Sequence, residues 1–223
     1  MELFSIVTYL SGNIQYVIPS NYEEQVKKEF KRFRKHPAVT QIKKLYKGQN
    51  VHIEAVHPML AFYCSPLPEL KPLYSLKYTN TKDLEPYLKY FRNFADETNF
   101  KDFFVSQQKE MESWIRPVQD TIAKYSLTDK LGDFFGEYKE FRIYLNPFNS
   151  WGGQAFTPNE EFVQTHAYFR LGYNVLKKET SGKDKPPFFN NKMMLFDLVW
   201  HEGGHTYMNM LITQKIDLFK EAQ

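Results

Sequence analysis

Residues 194–212 read MLFDLVWHEGGHTYMNMLI, and how this stretch folds decides how the rest of the chain is understood. Its apolar residues Met194, Leu195, Leu198, Val199, Met208, Leu211 and Ile212 recur at helical spacing, as in a helix buried along one side. Within that period stand His201, Glu202 and His205 in the order His-Glu-x-x-His. Side chains four apart on a helix project from one face about one turn apart, so both imidazoles can bind one tetrahedral zinc through nitrogen. Glu202 is rotated off that pair but stays beside the metal's open side, where it can take a proton from water attacking a carbonyl. The expected chemistry is zinc-dependent hydrolysis of a peptide bond. His201 and His205 are the expected metal ligands, and Glu202 the general base and later acid.

Gly203 and Gly204 stand mid-helix, where each costs about 1 kcal/mol relative to alanine. Close approach of the sheet or of a substrate backbone would account for them. Asn209, four residues after His205, is spaced to orient that ligand from the second layer of contacts. A zinc site of this kind takes a third protein ligand, and the one glutamate after His205 is Glu221. If Glu221 continues the same helix it cannot fold back onto the metal. A third histidine six residues after His205 is excluded, because Leu211 stands there. The chain is therefore expected to be a fragment that ends before its third ligand.

Composition is that of a soluble globular protein: 223 residues, 42% hydrophobic and 25% charged. Aromatic residues reach 17%, with 20 Phe and 15 Tyr, which favours a ring-filled core over an aromatic-lined binding groove. A formal charge of +3 is too small to argue for nucleic acid. The basic stretch Lys27–Lys35 reads as the wet face of a helix, since Phe30 and Phe33 interrupt it at helical spacing. The single cysteine, Cys64, rules out an intrachain disulfide and reads as a buried, inert thiol. No run approaches the roughly 20 apolar residues of a membrane span, and the first residues lack the pattern of a signal peptide.

The expected architecture is α+β: a mainly helical region over residues 1–136, then a small mixed or antiparallel sheet and the His-Glu-x-x-His helix over 137–223, together one compact unit. Ser20 or Asn21 caps a helix with Tyr22, Val26, Phe30 and Phe33 on one side. Pro37 opens a second, running to Tyr46 and closed by Gly48. Further helices are expected over Ile53–Tyr63, Thr81–Asn93 and Lys101–Tyr125, with Pro86 and Pro117 as starts or kinks. Phe141–Leu145 and His166–Leu171 alternate like half-buried strands, and Trp151–Phe156 is a strand or a loop. The segment 177–187 is a solvated loop, and Asn190 or Asn191 caps the last helix. Placed ahead of the zinc helix, Trp151–Phe156 is expected to dock an extended peptide by adding a strand. His166 is expected to be structural, and His36, His52 and His57 have nothing at ligand spacing around them.

The opening stretch Glu2-Leu3-Phe4-Ser5-Ile6, Leu10-Ser11-Gly12-Asn13, Tyr22, Phe30 and His36-Pro37-Ala38-Val39, together with the helix His201–Asn209, resembles an uncharacterised bacterial family. That family is catalogued as a domain of unknown function and regarded as gluzincin-like zinc metallopeptidases. The resemblance implies a zincin-like fold and bound Zn2+. It also implies a peptide or protein substrate, an extracellular or cell-envelope location, and a glutamate ligand beyond residue 223. The Gly203-Gly204 pair departs from the family's usual bulky-then-small pair. The rival expectation is a catalytically degenerate binding or scaffold module on the same frame, motivated by the glycines, the aromatics and the missing ligand.

Overall fold

The structure, a computed structural model, describes residues 1–12, 17, 19–45, 64–73, 86–148, 153–156, 166–172 and 182–221. It is mostly helical with one small sheet, an α+β architecture. The first helix, α1 (Glu2–Ser11), was not signalled by the period of its sequence, and its burial explains why. Leu3, Phe4, Ile6, Val7 and Leu10 are buried, and so are the polar Ser5, Thr8 and Ser11 between them. A helix covered on all sides carries no polar stripe to betray it. Thr8 Oγ1 donates to the Phe4 carbonyl at 2.7 Å and Ser11 Oγ to the Thr8 carbonyl at 2.6 Å, so these hydroxyls are satisfied inside the helix. Gly12, left-handed at φ 78, ends it.

The next helix, α2 (Asn21–Phe30), starts at Ser20, whose Oγ accepts from the Glu23 amide at 3.1 Å. Tyr22, Val26 and Phe30 are fully buried, Phe33 follows half-buried in a short 3-10 turn, and most of the intervening cations lie outside. Tyr22 Oη donates to Glu2 and Tyr9 Oη to Glu23, each at 2.8 Å, which ties α1 to α2. Burial pushes the Glu2 carboxyl up, and the Tyr22 bond opposes it. The third helix, α3 (Pro37–Leu45), opens at Pro37 as expected.

The expected helix over Ile53–Tyr63, and Gly48 before it, lie outside the described residues. Of the helix expected over 81–93, residues 81–85 lie outside the described ones; a short turn at Pro86-Tyr87 leads into α4 (Leu88–Glu97), which runs past the expected end at Asn93. The long helix expected over 101–125 is two, α5 (Phe100–Ser106) and α6 (Gln108–Tyr125). At the break the Gln107 amide is shared between the Phe103 and Phe104 carbonyls, and Ser106 Oγ takes the Phe103 carbonyl at 2.6 Å. A hydroxyl that competes for helix carbonyls is a known way to loosen the ladder. Pro117 lies inside α6 rather than at its start. Ser126, left-handed at φ 48, separates α6 from α7 (Leu127–Phe135), which Gly136 closes at φ 71.

Rings fill the interior of this half, as the composition suggested. Tyr22 meets Trp114 edge-on at 4.9 Å, and Phe30 meets Phe103 edge-on at 4.8 Å and Phe94 at 5.9 Å. Cys64 is buried. No helix among the described residues is long and apolar enough to cross a membrane.

After Gly136 come strands β1 (Glu140–Asn146), β2 (Gly153–Phe156) and β3 (His166–Gly172). They form a mixed sheet in the order β1-β3-β2, with β1 parallel and β2 antiparallel to the central β3. The segment 153–156 is thus a strand, and among the described residues an edge of the sheet. Of the loop expected over 177–187, the described part agrees except at its end: residues 183–186 are exposed but Pro187 is buried. The last helix, α8 (Lys192–Glu221), is capped by Asn191, whose Oδ1 accepts from the Met194 amide at 3.4 Å. It packs against α7 and the β2–β3 side of the sheet, so the two regions of the chain share one interior.

Candidate metal centre

The apolar period of α8 holds for Leu195, Leu198 and Val199, which are buried, but not for Met208 and Ile212, which it counted with them and which are exposed. Tyr207 is buried, while Trp200, His201 and His205 face outward. Gly203 is set against α7 and β1: a Cβ there would stand 2.6 Å from Leu131 Cδ1 and 3.2 Å from Phe141 Cε1. The close approach of the sheet anticipated for the glycine pair is therefore found at Gly203. Gly204 has another character, because a Cβ there would meet nothing within 4 Å.

On the outward face the two imidazoles converge. His201 Nε2 and His205 Nε2 are 3.2 Å apart, with the rings nearly perpendicular at 85°. Two nitrogens bound to one tetrahedral zinc at about 2.0–2.1 Å would stand about 3.3–3.4 Å apart, so the pair fits that ion. Among the described residues no third His, Cys, Asp or Glu joins them. Glu221 is on the same continuous helix as His205, sixteen residues farther on, or about 24 Å along the axis at 1.5 Å per residue. That geometry takes Glu221 out of this site.

Glu202 lies on the buried side of the pair, 5% exposed. Its Oε2 accepts from the Ala155 amide of β2 at 2.6 Å, a short charge-assisted bond. It can approach that closely because residue 153 has no side chain: a Cβ on Gly153 would lie 2.3 Å from Glu202 Cγ and 2.8 Å from Cδ and Oε1. An antiparallel strand turns the amide and carbonyl of each residue to the same side, alternating along the chain. Since the Ala155 amide reaches Glu202, Ala155 and Gly153 face the outer edge of the sheet, toward α8.

Behind the ligands lies a group that sequence reading passed over. The Lys139 side chain is fully buried; its Nζ donates to the Thr206 carbonyl at 3.3 Å and sits 4.5 Å from the centre of the Tyr207 ring and 3.7 Å from Glu137. Burial holds its amine below the ordinary lysine value, with Glu137 opposing the shift. Tyr207 stacks flat on Phe135 at 4.5 Å, and burial, helped by Glu137, pushes its hydroxyl up to about 12. Thr206 Oγ1 donates to the Gly203 carbonyl at 2.6 Å. Nothing in the pattern around Lys139 marks it, since a lysine just before a strand is ordinarily solvated.

His166 opens β3, and Asn209 lies on α8 one turn past His205; their side chains are outside the described ones. His52 and His57 are outside the described residues altogether. His36 caps α3, its Nδ1 accepting from the Ala38 amide at 3.0 Å, far from the metal-ligand pair in sequence and role.

No curated protein and no solved structure matches the chain. A family model does, over residues 75–223, which takes in α8 and the whole sheet but leaves the opening stretch Glu2–Val39 outside. This chain belongs to the family defined by the domain of unknown function DUF4932.

Proposed function

We propose that the chain carries the core of a zincin-like zinc metallopeptidase of the glutamate-ligand class. The observation that supports this reading best is the convergence of His201 and His205 at 3.2 Å beside a buried glutamate fixed to a sheet edge. His201 and His205 would hold the zinc, and the third ligand of this class would come from outside the described residues. Zinc, when bound, supplies Lewis acidity toward a carbonyl oxygen and lowers the pKa of water.

The chain's own residues do the rest. Glu202 takes the proton from the attacking water and returns it to the leaving amine, the role of a positioned acid–base group. Its bond to the Ala155 amide fixes the carboxylate against β2 instead of letting it swing into solvent. With the Ala155 amide taken by Glu202, the Ala155 carbonyl and the amide and carbonyl of Gly153 are what the strand would offer an extended peptide, laying its backbone beside the acid–base group. Gly204 leaves open space beside the ligand pair, which suits a substrate backbone.

The missing third ligand among the described residues favours a second reading, a metal-free binding module whose docking surface is the same β2 edge. One experiment separates the two. Zinc content after dialysis is measured for the native chain and His201→Ala, and turnover of a mixed peptide library is measured for the zinc-loaded chain and Glu202→Gln. The expected result is zinc bound by the native chain and lost in His201→Ala, with Glu202→Gln keeping zinc but losing at least ~10²-fold in turnover. Full turnover by Glu202→Gln would refute the assignment. A chain that docks peptide without zinc or turnover would establish the second reading.

A further inference from the structure

Gly153 is a glycine without a backbone reason to be one. Its φ is not among the positive values of this chain, so alanine would adopt the same conformation without strain. Glycine inside a strand also weakens it, by entropy and by the missing side chain. What requires glycine here is Glu202. The nearest obstacle to a Cβ is Glu202 Cγ at 2.3 Å, well below any tolerated contact, and Cδ and Oε1 follow at 2.8 Å. Cγ is near the root of its side chain, so rotation at the tip would not clear it. Glu202 is also buried and held at 2.6 Å by the Ala155 amide. Gly153 and Ala155, two apart on the strand, therefore form a notch: one removes its side chain and the other supplies a donor.

We propose that Gly153 is a positioning residue that sets where the Glu202 carboxylate stands against the sheet edge. The inference rests on the reading of Glu202 as the proton acceptor for its catalytic meaning, but not for its geometry. A side chain at position 153 pushes Glu202 off the Ala155 amide and leaves the outward-facing imidazoles where they are.

The test is Gly153→Ala, made both in the native chain and in Glu202→Ala. In the native chain, Gly153→Ala should lower the thermal midpoint and speed hydrogen exchange at the Ala155 amide at least tenfold. In the Glu202→Ala background the same substitution should leave the midpoint unchanged or raise it, because the strand then gains a side chain without a collision. Zinc affinity should stay within about threefold of native throughout the Glu202-containing pair. In the peptide assay kcat should fall at least tenfold. An equal shift of the midpoint in both backgrounds, or native exchange at Ala155, would overturn the proposal, as would native kcat in a chain that hydrolyses peptide. If the native chain hydrolyses nothing, the peptidase reading fails, while the midpoint and exchange measurements still decide whether Gly153 positions Glu202.

Discussion

In the helical half aromatic rings dominate the interior, and polar groups buried among them, such as Thr8, Ser11 and Glu23, are bonded within or between its own helices. Tyr22, Phe30, Phe91 and Phe94 are each fully buried; Phe30 meets Phe94, Phe91 meets Phe4 at 4.6 Å, and Tyr22 meets Trp114. Around α8 the interior is shaped by atoms left out and polar groups brought in. Gly203 admits Leu131 and Phe141, Gly153 admits Glu202, and Glu202, Thr206 and Lys139 are all buried there. The first arrangement gains stability from burying apolar area. The second gives some up, since each buried polar group must be matched by a partner. Its matching bonds, from Ala155 to Glu202 and from Lys139 to Thr206, run between α8 and the segments around it. The contrast separates a frame that holds shape from a site that holds chemistry.

The contrast is tested most severely by Phe30→Ala. Truncating a fully buried ring should cost about 3–5 kcal/mol in denaturant unfolding, with the zinc content of the protein that remains folded unchanged. A loss of zinc in the folded fraction would show that frame and site are not separable. A smaller effect comes from the adjacent glycines of α8. Gly204→Ala meets open space and should stabilise by about 1 kcal/mol through helix propensity alone. Gly203→Ala gains the same propensity but collides with Leu131 and Phe141, and overpacking costs about 1–3 kcal/mol. The two neighbours should therefore differ by roughly that collision cost, measured by chemical denaturation. Equal effects would mean that α8 shifts freely on the sheet.

What could be read in advance follows the same division. Polar–apolar periodicity marks an element only when one side of it is wet, so α2 was legible from Tyr22, Val26 and Phe30, and β1 and β3 from their alternation. The fully buried α1 left no such stripe, and the break at Gln107 depends on a hydroxyl choosing a carbonyl, which spacing does not report. At the site, the helical placement of His201, Glu202 and His205 followed from a four-residue interval. The notch of Gly153 and Ala155, and the buried Lys139, are contacts between residues 47 and 67 positions apart in sequence, and no local pattern encodes such pairings. The bulk of Gly203 and Gly204 looked identical on paper, yet only a neighbour across the fold makes one of them necessary.

The smallest effect concerns a buried histidine of the helical half. His36 is buried against the Phe94 ring at 5.1 Å, its Nδ1 accepts from the Ala38 amide, and its Nε2 lies 3.3 Å from Glu97. Burial holds the imidazole below its ordinary value of 6.5, more than Glu97 raises it. The sign follows directly. The unfolded chain takes the proton more readily than the folded one, so the contribution of His36 is fully present above about pH 6.5 and is lost as pH falls through the lower folded value. Protonation would also put the ring's second proton on Nδ1, facing the Ala38 amide from which Nδ1 now accepts. His36→Asn keeps a capping oxygen for that amide and removes the titration. The native chain should therefore lose thermal stability relative to His36→Asn between pH 7 and pH 5, by less than the glycine pair differ. Parallel pH curves for the two proteins would show that burial and Glu97 cancel. A native chain that instead gains stability relative to His36→Asn as pH falls would show that the imidazole is stabilised as a cation by Glu97, making this corner of the frame behave like the polar, partnered interior around α8.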